Sequence, residues 1–451
     1  NSCRFDDGSS AYLHKTPSGA GTSADLFTFS MWIKRGIISS SDRIVLFYAQ
    51  SDAQNFDRIS FTDADVLEWK GVRSDSQAFN LTTSQVFRDI SSWYHLHFIW
   101  DSADSTADNR MRIYVNGTQV TAFGTRANPS SGLDAIIGSA QKHSVGSTGS
   151  SGTYYDGYMA EVVYLDGQEL TPDGNTGEFD EDSGIWKPID VSGLTFGTNG
   201  FYLDFEDSAN LGNDANGGTD LTEVNLTAID QSTDTCTNNG NVHNALIKDT
   251  PTLSEGNLNV TTSTSGWETA TGNIGVNTSK WYCEYKVINK GSSAMFGVIA
   301  MTEINAVASG KHIGYSSLNS LGYGYNHNGS KYNNDTAASY GDSYTTGDII
   351  GIALDLDNHK LYFSKNGTWQ NSGNPESGAT GTGSAYDLTT DYYYTFGCSV
   401  HSSSDQMSAN FGSPSYAISS GNTDGNGYGN FEYAVPSGYY SLNTKNLAEY
   451  G

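Results

Sequence analysis

Paired carboxylates within one short segment are the first residues that could do chemistry in this chain. Hydrolysis of a glycosidic bond needs two carboxylates, one as proton donor and one as nucleophile or base, projecting from the same face of a strand. The nearest candidates are Glu178 and Asp180 in the run GEFDEDSG. Ser183 stands where a second glutamate would complete an ExDxxE pattern. We therefore predict a solvated acidic loop and no catalytic pair.

Two histidines could form part of a metal site. His95 and His97 lie two residues apart in WYHLHFIWD, so they share one face of a predicted strand. No carboxylate or cysteine is spaced to complete a site with them, and the alternation predicts that they lie on the outer face. The four cysteines also lack CxxC spacing, which disfavours zinc.

A tyrosine-rich stretch, GYGYNHNGSKYNNDTAASYGDSY, occupies residues 322–344. Its candidate ligand-binding residues are Tyr323, Tyr325, His327 and Tyr332. Aromatic rings beside amide groups suit sugars, because a sugar stacks its C–H face on the ring and hydrogen-bonds at its edge. The alternative is that these tyrosines fill the interior of a β-sandwich, and the sequence leaves both interpretations open.

The elements that position these residues are strands and tight turns. Segments such as LFTFSMWIK (26–34) and WYHLHFIWD (93–101) alternate polar and apolar residues, as half-buried strands do. Asn116-Gly117 and Asn366-Gly367 are typical of two-residue hairpin turns, in which both residues take positive φ. A further turn is predicted at Asp357-Asn358. No stretch has convincing helical periodicity, so the predicted fold class is all-β.

Composition supports that fold class and excludes several functions. The chain has 451 residues, 51 of them glycine, and aromatic residues make up 12%, which is enough for substantial cores with many turns. Its 50 acidic and 23 basic residues give a net charge of −27. Nucleic-acid binding needs a basic surface and is therefore disfavoured. No apolar run approaches the length that membrane insertion requires.

Changes in pattern along the chain predict two antiparallel β-sandwich (jelly-roll) domains joined by an extended connector. The first sandwich is placed at 1–208, and an Asn/Thr/Asp/Gly-rich connector at 209–252. The second sandwich is placed at 253–415, and a C-terminal extension that packs on the sandwiches at 416–451. The chain starts at Asn1 without Met, so we expect further residues before it.

Two parts of the chain resemble known domain families. The ordered motifs WYHLHFIWD, RIYVNGTQV and GYMAEVVYLDGQELTP resemble concanavalin A-like jelly rolls of the LamG type. The motifs KWYCEYKV, MFGVI and GDIIGIALDLDNHKLYFSKNGTW resemble SPRY domains. These resemblances imply two lectin-like β-sandwiches with a binding role.

Calcium is the cofactor that the LamG resemblance implies, since such domains often hold one ion through acidic side chains and backbone carbonyls. The candidate ligands are Asp7 and Asp156, with Asp6 beside them, in loops near the ends of the first sandwich. Asp214 and Asp220 belong to a second oxygen-rich loop. The alternative in each loop is turn chemistry, in which an Asp side chain accepts from its own backbone.

A third resemblance concerns segments outside the two domains. GEFDEDSGIWKPIDVSGLTFGTNGFYLDFEDSANLGNDANGG and FEYAVPSGYYSLNTKNLAEYG resemble virion surface proteins of tailed, especially marine, bacteriophages. This implies a non-enzymatic tail fibre, spike or head fibre on the virion surface that displays lectin-like domains for host attachment. The alternatives are a secreted bacterial carbohydrate-binding adhesin and, less favoured, a polysaccharide depolymerase.

The phage interpretation also predicts the partners. They are other virion proteins, and a glycan or protein on the host surface. Single shallow sites bind weakly, so attachment needs several copies acting together. We therefore expect a homo-oligomer, with a trimer as the predicted form. The chain has no heptad repeat to join the copies, so their contacts must use neutral surfaces or bridging cations.

Overall fold

The computed structural model describes residues 1–38, 41, 43–149, 153–247, 251–262, 264–307 and 310–451. The chain forms two compact units, Asn1–Thr237 and Asn238–Gly451. Each unit is built almost entirely from antiparallel strand pairs, which confirms the predicted all-β fold. Within the described ranges the only α-helix is α1, Thr444–Tyr450, and none of their helices is long and apolar enough to span a bilayer.

The strands of the first unit range from two to 11 residues in length. Their bounds are β1 Ser2–Phe5, β2 Tyr12–Lys15, β3 Leu26–Arg35, β4 Ile44–Asp52, β5 Asn55–Phe61, β6 Val66–Arg73, β7 Ser76–Val86, β8 Tyr94–Asp101, β9 Met111–Val115, β10 Thr118–Gln119, β11 Phe123–Ala127, β12 Lys142–Val145, β13 Gly157–Asp166, β14 Glu178–Phe179, β15 Trp186–Lys187, β16 Phe201–Leu203, β17 Thr222–Val224 and β18 Gln231–Ser232.

Two sheets form the first sandwich. The first has the order β10-β9-β8-β3-β13-β1-β18, with β16 also paired to β13, and the second has the order β11-β7-β6-β5-β4-β12-β2-β17. Inward-facing aromatic rings of the two sheets meet in the core. Phe29 on β3 stacks on Phe47 on β4 with ring centroids 4.3 Å apart, and Trp69 and Trp100 lie 5.9 Å apart. Alternation along the strands places these rings on the same side of each sheet.

The outer face of the first sheet is also buried. Residues 168–197, here called the first covering segment, run across it with the short hairpin β14–β15. Val191 and Phe196 of this segment pack on Val163 and Leu165 of β13. Trp186 packs in a second apolar group with Trp32 of β3. Strand β3 is therefore almost wholly buried on both faces.

The connector predicted at 209–252 is divided between the two units: residues 209–237 belong to the first sandwich, and the second unit begins at Asn238. Strand β17 pairs with β2 and β18 pairs with β1, so this segment adds a strand to each sheet. Leu211, Leu221 and Leu226 are buried in the main core of the unit. These three leucines stand alone among polar residues, so they give no period-two pattern, but they anchor the segment all the same.

The second unit contains the remaining strands. Their bounds are β19 Thr252–Ser254, β20 Asn259–Thr261, β21 Glu268–Thr271, β22 Lys280–Asn289, β23 Ala294–Ala300, β24 Gly322–Asn326, β25 Ser330–Asn333, β26 Thr336–Ser339, β27 Ile349–Asp355, β28 Lys360–Lys365, β29 Thr368–Trp369, β30 Tyr386–Asp387, β31 Tyr394–Val400, β32 Gln406–Asn410 and β33 Tyr440–Ser441. Both units also contain single-turn or short 3-10 helices, at Ala107–Asn109, Ala228–Asp230, Met301–Glu303, Ser316–Leu318, Gln370–Ser372 and Pro375–Thr380.

The second sandwich has one large and one smaller sheet. The large sheet has the order β19-β20-β32-β22-β27-β28-β29, with β30 on β28 and β33 parallel to β22. The smaller sheet has the order β21-β31-β23-β24-β25-β26. Tyr285 of β22 stacks on Phe296 of β23 with ring centroids 4.9 Å apart, so an aromatic core joins the two sheets.

The C-terminal extension, residues 416–451, packs on the second sandwich. Residues 420–439, here called the second covering segment, lie over the outer face of the large sheet. Phe431 and Tyr439 of this segment pack on Tyr282, Ala353 and Tyr362 of β22, β27 and β28. Strand β33 and helix α1 follow this segment.

Candidate functional site

An acidic cluster forms where three neighbouring strands of the first sheet, β3, β13 and β1, have their termini at the same end of the sheet. Phe5 pairs with Gly157, so Asp6, which directly follows β1, lies opposite Asp156, the residue before β13. Gly157 also pairs with Arg35, the last residue of β3. One carboxylate oxygen of each of Asp6, Asp7 and Asp156 lies within 4.8 Å of those of the other two.

The donor set of this cluster fits a hard cation such as calcium, which takes carboxylate and carbonyl oxygens as ligands. Asp6 and Asp156 are almost fully buried, whereas Asp7 is exposed. Partial burial raises the pKa of Asp7, and repulsion from the Asp6 carboxylate raises it further. A bound cation would relieve that repulsion. The three residues are the only group of this kind in the described part of the chain.

Gly36 is a residue of this cluster that the sequence analysis missed. Its N–H donates to the Asp156 carbonyl, 3.0 Å away. A Cβ at this position would overlap the Asp156 carboxylate, so only glycine leaves that carboxylate in place. The requirement for glycine at position 36 cannot be read from the sequence, because it depends on the register between β3 and β13.

Asp214 and Asp220 lie in a separate loop, where their carboxylates accept hydrogen bonds from backbone N–H groups. Asp214 Oδ1 accepts from Tyr202 N and Asn216 N at 3.0 and 3.1 Å, and Asp220 Oδ1 accepts from Asp214 N at 3.0 Å. Lys15 Nζ lies 3.9 Å from Asp214 Oδ2, where it opposes a second cation. The structure therefore brings Asp7 and Asp156 together but gives Asp214 and Asp220 the turn chemistry that the sequence left open.

His95 and His97 lie on the outer face of the first sheet, as predicted, but the first covering segment buries that face. Trp186 Nε1 donates to His95 Nδ1 at 3.0 Å, and His95 Nε2 lies 2.7 Å from Ser30 Oγ. His97 Nε2 lies 2.8 Å from the Leu170 carbonyl. Burial lowers the pKa of His95 well below its ordinary value, and that of His97 to about 4. Both imidazoles are thus neutral structural groups.

Glu178 and Asp180 form an ion-paired hairpin. Lys187 Nζ lies 3.2 Å from Glu178 Oε1 and 3.0 Å from Asp180 Oδ2. Hydrogen bonds from the Ser183 backbone and the adjacent Lys187 hold the pKa of Asp180 well below its ordinary value. A general acid requires the opposite shift, because it must keep its proton at the working pH.

Tyr323 and Tyr325 belong to the core of the second sandwich. Tyr323 Oη lies 3.0 Å from Thr389 Oγ1, and Tyr325 Oη donates to the Asp342 carbonyl. Their rings and hydroxyls are therefore committed to the fold. His327 is only partly buried, and its Nδ1 lies 3.1 Å from Ser293 Oγ. Tyr332 is partly buried on β25 and packs against His312 with ring centroids 5.8 Å apart.

Family models match both parts of the chain. Residues 7–173 match the model Laminin_G_3, described as the concanavalin A-like lectin/glucanases superfamily. Residues 280–417 match the model of the SPRY domain. These matches confirm the predicted domain types and their order. No curated protein matches the chain significantly.

Three similar solved structures each share less than 20% sequence identity with this chain. The SPRY domain of human HERC1 is 17% identical over 34% of this chain and 87% of that chain, with a TM-score of 0.26. A native heptameric SAP-like pentraxin from Limulus polyphemus is 17% identical over 36% and 72%, with a TM-score of 0.27. A human SPRY domain is 15% identical over 38% and 96%, with a TM-score of 0.26. From the family matches, the chain contains a region similar to concanavalin A-like lectins and glucanases, followed by a region similar to SPRY domains.

Proposed function

We propose that the protein is a non-enzymatic binding protein on the surface of a bacteriophage particle, where it serves as a tail fibre, spike or head decoration. Its two sandwiches present loops to a glycan or protein of the host surface. Both domain types fit carbohydrate or protein binding. The phage assignment rests on the resemblance of residues 177–218 and of the C-terminal end to virion surface proteins.

The observation that carries the binding role is the cluster of Asp6, Asp7 and Asp156 at the strand ends of the first sandwich. We propose that it holds calcium. The ion supplies positive charge to an acidic loop edge. Asp6 and Asp156 orient their carboxylates from strands that are fixed by pairing, and Gly36 leaves room for the Asp156 side chain.

A hydrolytic role lacks support in the same domain. Glu178 and Asp180 are bound to Lys187, and the low pKa of Asp180 makes it unsuitable as a proton donor. Replacing both with alanine should therefore leave the binding function unchanged. Cleavage of a polysaccharide that disappears with this double variant would overturn the proposal.

Calcium titration of the full chain tests the first sandwich. At a calcium concentration about 100 times Kd, the first unit should gain about 2.7 kcal/mol of stability, seen as a higher unfolding temperature in calorimetry. EDTA should reverse the shift, and Asp156→Asn should abolish it. Asp214→Asn is the matched control and should keep the response. An unchanged unfolding temperature with calcium in the wild type would refute the metal site.

Mass spectrometry of purified phage particles tests the virion location, because peptides of this chain should be present in stoichiometric amounts. Light scattering of the released component tests the proposed trimer. A chain found only in bacterial culture medium, free of particles, would instead support the adhesin.

A further inference from the structure

A cluster of half-buried aromatic rings surrounds His312 on the second sandwich. The rings of Trp267, Tyr315 and Tyr332 each lie edge-to-face with the His312 ring, with centroid distances of 4.9, 5.5 and 5.8 Å. His312 itself is buried, whereas the three surrounding residues are partly exposed. A buried imidazole therefore fixes the position of three rings that reach the surface.

These three rings come from separate parts of the chain. Trp267 precedes β21, Tyr315 lies just before the 3-10 helix Ser316–Leu318, and Tyr332 is on β25. Gly314 takes a φ of +94°, and a Cβ there would lie 2.5 Å from the Tyr332 carbonyl oxygen. This close approach lets the loop bring Tyr315 beside β25. The arrangement is thus fixed by packing at a site where a glycine is required.

The polar atoms of the three rings have no partner among the described residues. These atoms are Trp267 Nε1, Tyr315 Oη and Tyr332 Oη. Five core tyrosines of the same unit differ, because their hydroxyls have partners: Tyr323 with Thr389, Tyr325 with Asp342, Tyr340 with Gly383, Tyr344 with Ala294 and Tyr394 with Thr389. One donor and two hydroxyls are therefore available to a ligand.

A carboxylate completes the polar edge of the cluster. Asp335 Oδ1 lies 3.5 Å from His312 Nε2, and Asp335 Oδ2 accepts from Ser316 N at 3.1 Å. The Asp335 side chain is 42% exposed, so it can also accept hydrogen bonds from a ligand. A carboxylate in a chain of net charge −27 repels anions. The ligand that fits is uncharged and rich in hydroxyl donors.

We propose that Trp267, Tyr315, Tyr332 and Asp335 form a binding site for a neutral glycan. A hexose ring stacks its C–H face on the exposed aromatic surface, and its hydroxyls bond to the ring hydroxyls, the indole N–H and the Asp335 carboxylate. This inference deepens the proposed attachment function, on which it rests. It adds a second site that needs no metal.

Affinity electrophoresis of the full chain through gels containing a polysaccharide tests the site. The probes are amylopectin, galactomannan, xyloglucan and a β-1,3-glucan as neutral polymers, and alginate as an anionic polymer. At least one neutral polymer should retard the wild type, and alginate should not. Tyr332→Ala should weaken that retardation about tenfold in apparent Kd, because it removes both the stacking surface and a hydroxyl.

Two further variants separate binding from folding. Asp335→Asn keeps an oxygen for Ser316 N but loses the carboxylate charge, and it should weaken retardation without changing the unfolding temperature. Tyr393→Ala is the matched control, because Tyr393 is 56% exposed in the same unit but outside the ring cluster. It should migrate as the wild type does. Absence of retardation by every neutral polymer, or equal loss in Tyr332→Ala and Tyr393→Ala, would overturn the proposal.

The same gels separate this site from the calcium site. Retardation that persists in EDTA and in Asp156→Asn, but is lost in Tyr332→Ala, supports the aromatic site even if the first sandwich binds no calcium. Retardation that EDTA or Asp156→Asn abolishes, and that Tyr332→Ala leaves intact, would overturn the aromatic site while supporting the calcium site.

Discussion

The two sandwiches bury the outer face of one sheet in the same way but with different polar groups. In the first, the covering segment 168–197 closes over His95 and His97. In the second, the covering segment 420–439 closes over Glu284, which is fully buried on β22. Both faces need polar anchors because backbone groups of an irregular segment must find partners when they are buried.

The anchors differ in the direction of their hydrogen bonds. Each buried imidazole accepts with one nitrogen and can donate with the other, so it remains neutral. Glu284 only accepts: Glu432 N and Tyr433 N donate to it at 2.9 and 2.8 Å. Burial nevertheless raises the pKa of Glu284 to about 7. Two sheets that are covered in the same way can therefore depend on pH in opposite directions. The sign depends on whether the buried polar group is an imidazole or a carboxyl group.

Removing the main aromatic group of each covering segment should have the largest effect. Trp186→Ala and Phe431→Ala should each destabilise their own unit by about 3–5 kcal/mol, because each deletes a buried ring. Calorimetry of the full chain should show one lowered transition per variant. If either variant has the same two unfolding temperatures as the wild type, the covering segment that carries the change does not stabilise its folded unit.

The effect of Glu284 should come next. Its pKa is raised in the folded state, so its contribution is complete below its unfolded pKa of about 4.5 and is lost as pH rises to about 7. As pH rises between these two values, the free energy of unfolding of Glu284→Gln should increase by about 3 kcal/mol relative to that of the wild type. The exposed Glu376→Gln is the control and should show no such gain. The pKa of His243 is lowered to about 4, so its contribution to stability is lost as pH falls. The contribution of Glu284 must therefore be taken from the difference in stability between the wild type and Glu284→Gln at each pH.

The imidazoles of the first unit should respond in the opposite sense. The pKa of His97 is lowered to about 4, so the unfolded chain binds the proton first and stability is lost as pH falls from about 6.5 towards 4. Relative to His97→Gln, the wild type should lose about 2 kcal/mol between pH 6.5 and 5, measured by urea unfolding. Parallel pH curves for the two proteins would contradict a buried neutral His97.

The smallest effect concerns the two Asn-Gly turns. Asn116 and Asn366 take φ of 47° and 48°, and the side chain of each accepts from a neighbouring strand, at His95 N and Ile349 N, both 2.8 Å away. Alanine at either position should cost about 1–2 kcal/mol, since it loses the bond and disfavours positive φ. Asn→Asp keeps the acceptor and should cost less. Unequal costs would show that the two turns are not equivalent.

Local features of the fold could be predicted from the sequence. Val115 pairs with Thr118 across Asn116-Gly117, and Lys365 pairs with Thr368 across Asn366-Gly367, as turn chemistry requires. Asp355 pairs with Lys360, which places the intervening turn around the predicted Asp357-Asn358. These features depend on residues close in the chain, so the sequence pattern contains them.

Features that depend on distant contacts could not be predicted. Period-two alternation correctly separates His95 and His97 from the core face, but it cannot show that Trp186, about 90 residues later, closes over them. Likewise, the LamG resemblance implies Asp7 and Asp156 as calcium ligands, whereas Gly36 and Trp267 gain their roles only from register and packing. Isolated large residues in polar segments, such as Trp186 and Trp267, are the sequence feature that indicates such long-range packing.

The two short strands β17 and β18 have a practical consequence for producing the first sandwich alone. β17 occupies the free edge of β2, and β18 occupies the free edge of β1. A fragment ending at residue 208 would leave the backbone N–H and C=O groups of both edges exposed, and such edges pair with strands of other molecules. We expect that fragment to aggregate on expression, and a fragment ending at Thr237 to remain dispersed.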